Sequence, residues 1–212
     1  MRPIIVSYGT RYPSFYPIAR EALIENCEAL GLEHCIRLIE PAEDWFANTR
    51  QKPGFLLKML RGEIWSDLDA PHARPIMWVD VDCSLTRVDD MPADGWDVGW
   101  VTRSGNMAYT AGMMAFNRTE AAERFIESWI ERLEREKTPG DHGPYVRTID
   151  NPPKGVRIID ATGYVDWNVN EFNRGTGRRN GPCKCPKCGR GYDESWQGRQ
   201  ITCRQCGKVM VL

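Results

Sequence analysis

Pro75-Ile76-Met77-Trp78-Val79-Asp80-Val81-Asp82 is the stretch on which the fold of this chain turns. A proline opens an unbroken apolar run, and two carboxylates follow it two positions apart. A short run without alternation fits a strand covered on both faces, as in sheets that carry helices on each side. The period of two of a strand points Asp80 and Asp82 to one side. In open α/β sheets, ligands bind beyond the carboxyl ends of the strands. Two hard oxygen donors there suit Mg²⁺ or Mn²⁺, and such an ion bridges a diphosphate. A bare D-x-D is common in solvated turns; its place behind a buried strand sets this one apart.

Outward from that run, strands and helices alternate. Pro3–Ser7 reads as a strand ending before Gly9, and Ser14–Leu30 as a helix with Ile18, Ala22 and Leu30 on one face and Gly31 as its stop. Cys35–Ile39 is a second strand. Pro53–Leu68 is a helix with proline in its first turn. After the central strand, Asp97–Thr102 and Tyr109–Asn117 read as strands. Glu120–Glu136 is a long amphipathic helix with Phe125, Trp129 and Leu133 at four-residue spacing, Asp141–Ile149 is a short helix, and Val156–Ile159 is a last strand. This order predicts an α/β domain with a mostly parallel central sheet flanked by helices. No internal repeat or low-complexity tract interrupts it.

Composition bounds the class. The 212 residues suffice for one medium domain and a small appendage, and 42% hydrophobic content supports a buried core. No apolar run is long enough to span a bilayer. Polar Ser7-Tyr8-Gly9-Thr10 follows the first apolar residues too soon for a signal peptide, so the expected compartment is the cytoplasm, or the host cytoplasm for a phage-encoded chain. The net charge of −1 hides a division: Arg174 to Leu212 holds nine basic and two acidic residues, leaving 19 basic and 27 acidic ones elsewhere. Such segregation suggests different partners for the two parts, although a solubilising tail would show it too.

The basic segment begins with a Gly-rich stretch free of apolar residues, Asn173 to Pro182. It divides the chain into a domain at 1–173, a linker at 174–182 and a small module at 183–212. The module holds Cys185-Pro186-Lys187-Cys188-Gly189 and Cys203-Arg204-Gln205-Cys206-Gly207, two C-x-x-C-G knuckles 14 residues apart. Four thiolates from two such turns give tetrahedral zinc coordination, and the glycines permit the tight turns. So short a segment builds no core of its own, and a metal is the staple it needs. Two disulfides are the other option, disfavoured in a reducing compartment. Cys183 is left over. Tyr192 and Trp196 among the basic residues suit stacking and phosphate contact with nucleic acid, and equally suit a ribbon's small apolar cluster.

Over residues 2 to 170 the chain resembles the GT-A fold family of nucleotide-sugar glycosyltransferases. Asp80-Val81-Asp82 is similar to that family's D-x-D motif. Ser7-Tyr8-Gly9-Thr10 resembles the segment that holds the nucleotide base, Gln51-Lys52-Pro53-Gly54-Phe55 the K-P-x-F element ahead of the motif, and Tyr109 to Asn117 the strand whose Gly112 lines the acceptor side. The resemblance implies a nucleotide-sugar donor, a UDP-sugar in particular, and a Mn²⁺ or Mg²⁺ cofactor. It implies donor contacts from Tyr8, Thr10, Arg11, Lys52, Lys58, Asp80 and Asp82. Asp141 takes the place of the catalytic base, with an N-cap as its bland alternative and His142 as its neighbour in contention. Asn168 falls where a third metal contact, commonly His, is expected. Trp167, in an irregular segment like Trp45, is a candidate platform on the acceptor side, whereas Trp78, Trp96, Trp100 and Trp129 read as core.

The acceptor is not written in these residues. The basic module favours nucleic acid, for instance a hydroxymethylated base in DNA modified by a phage enzyme. A surface polysaccharide or glycolipid acceptor, and a non-catalytic zinc-ribbon nucleic-acid-binding protein, are the alternatives. A nucleotidyltransferase is a further one, weakened by the lack of a Gly-rich loop after the first strand.

Overall fold

The computed structural model describes residues 1–11, 15–64, 74–102, 109–138 and 140–169, and four short strands towards the C-terminus. Strand β1 (Ile4–Thr10) is followed by α1 (Phe15–Ala29), β2 (His34–Ile39), α2 (Trp45–Arg50), α3 (Lys52–Leu60) and β3 (Ile76–Val79). Then come β4 (Cys83–Val88), β5 (Val98–Trp100), β6 (Met113–Phe116), α4 (Glu120–Glu136), α5 (His142–Asp150), β7 (Ile158–Asp160) and β8 (Val165–Val169). The main sheet has the order β2-β1-β3-β6-β5-β7. All its neighbouring pairs are parallel except those made by β6, which runs antiparallel to both β3 and β5.

Burial explains the continuous apolar runs. Along β1, Ile4, Val6 and Tyr8 join one core cluster while Ile5 joins the other; along β3, Ile76 and Trp78 divide from Met77 and Val79 in the same way. Alternate side chains therefore reach opposite faces, and both faces are dry. The first cluster holds residues of α3, α4 and α5, and the second residues of α1, β4 and β8. α4 supplies an apolar stripe, with Ala122, Phe125, Ile126, Trp129 and Leu133 buried at helical spacing. Thr119 caps it by accepting from the Ala122 N–H at 3.1 Å, and Glu120 and Glu123 lie in its first turn, where the helix dipole favours negative charge.

Several expected elements need correction. The helix expected over 53–68 is α3, which starts at Lys52 with Pro53 in its first turn and ends at Leu60, while 65–68 lie outside the described residues. Ahead of it stands an unexpected helix, α2, capped by Asp44 accepting from the Ala47 N–H at 2.7 Å. The strand over 109–117 is only β6, and it is reversed. β6 pairs antiparallel with β5, the strand before it in the chain, and among the described residues no helix lies between the two; a connection without a crossover returns a strand antiparallel. No element was expected between Val79 and Asp97, yet β4 pairs antiparallel with β8 in a separate small sheet. Asn26 of α1 satisfies the backbone of β4, accepting from the Leu85 N–H at 2.7 Å and donating to its carbonyl at 2.9 Å. Among the described residues no helix is long and apolar enough to cross a membrane.

Near the C-terminus, β9 (Cys183–Lys184) pairs antiparallel with β10 (Gly191–Tyr192), and β11 (Gln200–Thr202) with β12 (Val209–Val211). Cys185, Cys188, Cys203 and Cys206 lie outside the described residues.

Candidate active site

The site forms where the sheet changes direction of growth. β2 and β3 flank β1 on opposite sides, so the switch point lies between the carboxyl ends of β1 and β3. Thr10 ends β1, with exposed Arg11 just after it, and Asp80 follows the last residue of β3.

Asp80 is held on several sides. Its N–H donates to the Gly112 carbonyl at 2.8 Å. Its Oδ1 accepts from Trp78 Nε1 at 2.8 Å and lies 2.9 Å from Lys52 Nζ. Its Oδ2 accepts no hydrogen bond among the described residues and faces Gly112, where a β-carbon would stand 3.2 Å from it. The i, i+2 relation of a strand thus aligns Trp78 with Asp80, not Asp80 with Asp82. The Cys83 N–H donates to the Asp80 carbonyl at 2.9 Å, so Asp80 to Cys83 is a β-turn and the strand period expected to align both carboxylates ends at Val79. Asp82 is buried in this turn, and the Cys83 thiol lies 3.8 Å from its Oδ1. Burial, then the Asp82 carboxylate, pushes that thiol well above its ordinary range, so it remains protonated.

Lys52, the first residue of α3, reaches inward rather than out. Its Nζ stands 2.9 Å from Asp80 Oδ1, 2.8 Å from Asp141 Oδ2 and 2.8 Å from the Ala111 carbonyl, and 5.1 Å from the centroid of the Trp78 ring. The ammonium donates to the Ala111 carbonyl and is ion-paired with both carboxylates, in a side chain only 5% exposed. Burial alone would lower its pKa; the carboxylates of Asp141 and Asp80 outweigh it, and the net shift is upward. The lysine expected beside donor phosphates is an interior cation, ion-paired to Asp80 and Asp141.

Asp141 occupies the N-cap position of α5 but makes no side-chain cap bond; its carboxylate turns to Lys52. Its carbonyl accepts from Trp129 Nε1 at 3.1 Å and from the Tyr145 N–H at 3.1 Å, which ties α5 to α4. The next residue, His142, accepts the Ala111 N–H on Nδ1 at 3.3 Å. Burial lowers its pKa, with Asp141 opposing, and the ring is neutral with its proton on Nε2.

The remaining expected residues divide by location. Tyr8 is buried edge-on against Phe55 and Trp78, and its hydroxyl donates to the Asn48 carbonyl at 2.6 Å. Burial, then Asp141 and Asp80, raise its pKa. Thr10 is buried. Lys58 is exposed on α3, and six residues of helix turn it about 240° from Lys52, so the two lysines do not converge. Gly112 adjoins Asp80 directly, its N–H donating to Thr110 Oγ1 at 3.0 Å. Trp167, expected in an irregular segment, belongs to β8 and packs half-buried on the second core cluster. Exposed Asn168 stands opposite Ser84, two residues along from Asp82. The Ala111 carbonyl carried no sequence signal, being backbone. Trp78 did carry one, its two-residue offset from Asp80, beneath its reading as core.

In donor chemistry the turn fits a divalent cation: Asp80 Oδ2 accepts no hydrogen bond among the described residues, Asp82 is a second carboxylate, and Asn168, opposite Ser84, carries an amide oxygen. Among the described residues no group of three or more His, Cys, Asp or Glu is arranged to hold a metal ion. Two carboxylates alone suit a cation that also takes ligands from a diphosphate.

No protein-family model and no curated protein matches this sequence. Solved structures do. A glycosyltransferase involved in the glycosylation of the major capsid of PBCV-1 superposes with a TM-score of 0.53 at 14% identity, covering 75% of this chain and 83% of that one. Drosophila β-1,4-galactosyltransferase 7, solved with manganese, UDP-Gal and xylobiose, gives a TM-score of 0.44 at 11% identity over 89% of this chain and 78% of that one, too loose a fit to carry weight. The chain has a GT-A-like fold.

Proposed function

We propose that this chain is a metal-dependent glycosyltransferase, moving a sugar from a nucleotide-diphosphate donor, a UDP-sugar in the first instance, to a hydroxyl acceptor. The observation that carries the proposal is the Asp80–Asp82 turn at the switch point of a GT-A-like sheet, with one carboxylate oxygen of Asp80 accepting no hydrogen bond among the described residues. Asp80 and Asp82, with Asn168 as a candidate third ligand, would hold Mn²⁺ or Mg²⁺, which supplies charge to stabilise the departing nucleoside diphosphate. Arg11, exposed just after β1 at the switch point, is the first candidate cation for the donor phosphates, and Lys58, exposed on α3, the second. Gly112 keeps the backbone low against Asp80, and Trp167 lies on the strand that carries Asn168. His142 presents Nε2–H as a donor for a sugar or acceptor hydroxyl.

The C-terminal module is proposed as a zinc ribbon. The antiparallel pairs β9–β10 and β11–β12 bracket the stretches that contain Cys185 and Cys188, and Cys203 and Cys206. That order, strand, C-x-x-C, strand, repeated once, supports four-thiolate zinc binding. The basic charge of the module supports a nucleic-acid acceptor, with a hydroxymethylated DNA base as the specific case.

The test is incubation of the full chain with a panel of nucleotide-sugars and Mn²⁺, with and without hydroxymethylated DNA, read by nucleotide release and by mass spectrometry of nucleosides. Metal-dependent nucleotide release sustains the enzyme; its absence across the panel, with donor binding also absent, removes it. Release without DNA glycosylation keeps the transferase and moves the acceptor to a polysaccharide or glycolipid. DNA binding without any release points to a non-catalytic regulator. About one zinc per chain by elemental analysis checks the ribbon.

A further inference from the structure

Asp141 is placed like a catalytic base and bonded like something else. It stands at the N-terminus of α5, yet its side chain is only 9% exposed and its Oδ2 lies 2.8 Å from the buried ammonium of Lys52. The same ammonium lies 2.9 Å from Asp80 Oδ1. A buried cation shared between two carboxylates neutralises each in part, and removing one carboxylate throws its whole charge on the other.

We propose that Asp141 is a positioning residue that balances the charge of Lys52, so that the Asp80–Asp82 turn keeps its full negative charge for a divalent cation. Lys52 and the Trp78 indole N–H pin Asp80 Oδ1 and leave Oδ2 for the metal. That arrangement brings a positive charge against a metal site, and Asp141 cancels it. The three carboxylates and one ammonium leave two negative charges, which match a divalent ion. The inference rests on the metal-dependent function proposed above.

The test measures Mn²⁺ binding to the full chain without donor, by electron paramagnetic resonance of free Mn²⁺ or by calorimetry. Asp141→Asn, which keeps the shape, is expected to weaken Mn²⁺ binding about tenfold, equivalent to ~1.4 kcal/mol. Lys52→Met/Asp141→Asn removes both charges and keeps the aliphatic stem over Trp78; it is expected to recover affinity to within about threefold of the unaltered protein, a gap under ~1 kcal/mol. Native Mn²⁺ affinity in Asp141→Asn, with turnover alone lost, overturns the proposal and restores Asp141 as the proton acceptor. A double variant as weak as the single one also overturns it. Should Asp141→Asn not fold, the double variant against the unaltered protein decides, a tenfold loss counting against charge balance. If the unaltered protein binds no Mn²⁺, the metal-dependent function fails first, and this proposal falls with it.

Discussion

Two aspartates stand at opposite ends of the strands of one sheet, Asp97 buried and Asp80 half-buried, and their surroundings differ in one respect. Asp97, just ahead of β5, is fully engaged: Oδ1 accepts from Thr119 Oγ1 at 2.8 Å and from Arg157 at 3.2 Å, and Oδ2 accepts from the Arg157 N–H at 2.8 Å and its Nε at 3.1 Å. Asp80, just beyond β3, has one oxygen engaged by Trp78 and Lys52 and one with no hydrogen bond among the described residues. A carboxylate with every lone pair partnered ties strands to a helix cap. One kept half-partnered beside a buried cation is available to a ligand. Both are near neighbours of strands, both are buried or half-buried, and burial alone does not separate them.

The contrast is sharpest if each carboxylate is blunted in turn. Asp80→Asn or Asp82→Asn should lower metal-dependent nucleotide release by about a thousandfold, since a metal contributes several kcal/mol to the transition state. The melting temperature should move little for Asp80→Asn, because Lys52 retains Asp141. Asp97→Asn should do the reverse: stability falls by roughly 2–3 kcal/mol, the range for hydrogen bonds to charged groups, read as a Tm roughly 5–8 °C lower, with nucleotide release per folded molecule unchanged. An Asp97 variant that loses release while fully folded would erase the distinction.

pH sharpens it further. Burial would raise the Asp97 pKa, but hydrogen bonds from Arg157 and Thr119 more than offset this and hold it below its ordinary value. A carboxylate depressed on folding stabilises fully above its unfolded pKa, about 3.9, and that contribution is lost as pH falls through the lower folded value. The unaltered protein should therefore lose Tm more steeply below about pH 4 than Asp97→Asn does, as thermal unfolding at several pH values would show. Equal acid slopes would remove Asp97 from the acid response.

Two glycines give the smallest effects and the finest comparison. At Gly112 a β-carbon would stand 3.2 Å from Asp80 Oδ2 and 3.2 Å from Thr110 Oγ1. Gly112→Ala should weaken Mn²⁺ binding several-fold with a stability change of about 1 kcal/mol or less. At Gly99, in β5, the new carbon would stand 2.9 Å from the Ala161 β-carbon, which has no flexible end to move, so Gly99→Ala should cost about 1–3 kcal/mol and leave Mn²⁺ affinity alone. Thermal unfolding with Mn²⁺ titration of both variants separates the two.

How much of this the sequence carried depended on periodicity. Glu120–Glu136 and Ile76–Val79 coincide with α4 and β3 as expected, because an amphipathic stripe and a four-residue apolar run are local patterns. β4 and β8 escaped notice because their edges are satisfied by Asn26 and by each other, contacts that cross 59 residues or more. The reversal of β6 escaped for a like reason: strand direction lies in the connection, not in the strand.

By itself the sequence determined the α/β alternation, the carboxylate pair behind the buried strand, the break into a basic tail and the paired C-x-x-C-G spacing. Each is set by neighbours within a few residues. Only the tertiary structure decided that Asp82 lies in a turn, that Asp80 shares its face with Trp78, and that Lys52 points inward to join Asp80, Asp141 and Ala111. Those partners lie 28 to 89 positions from Lys52, and an ammonium's charge is worth most where folding has removed the water around it.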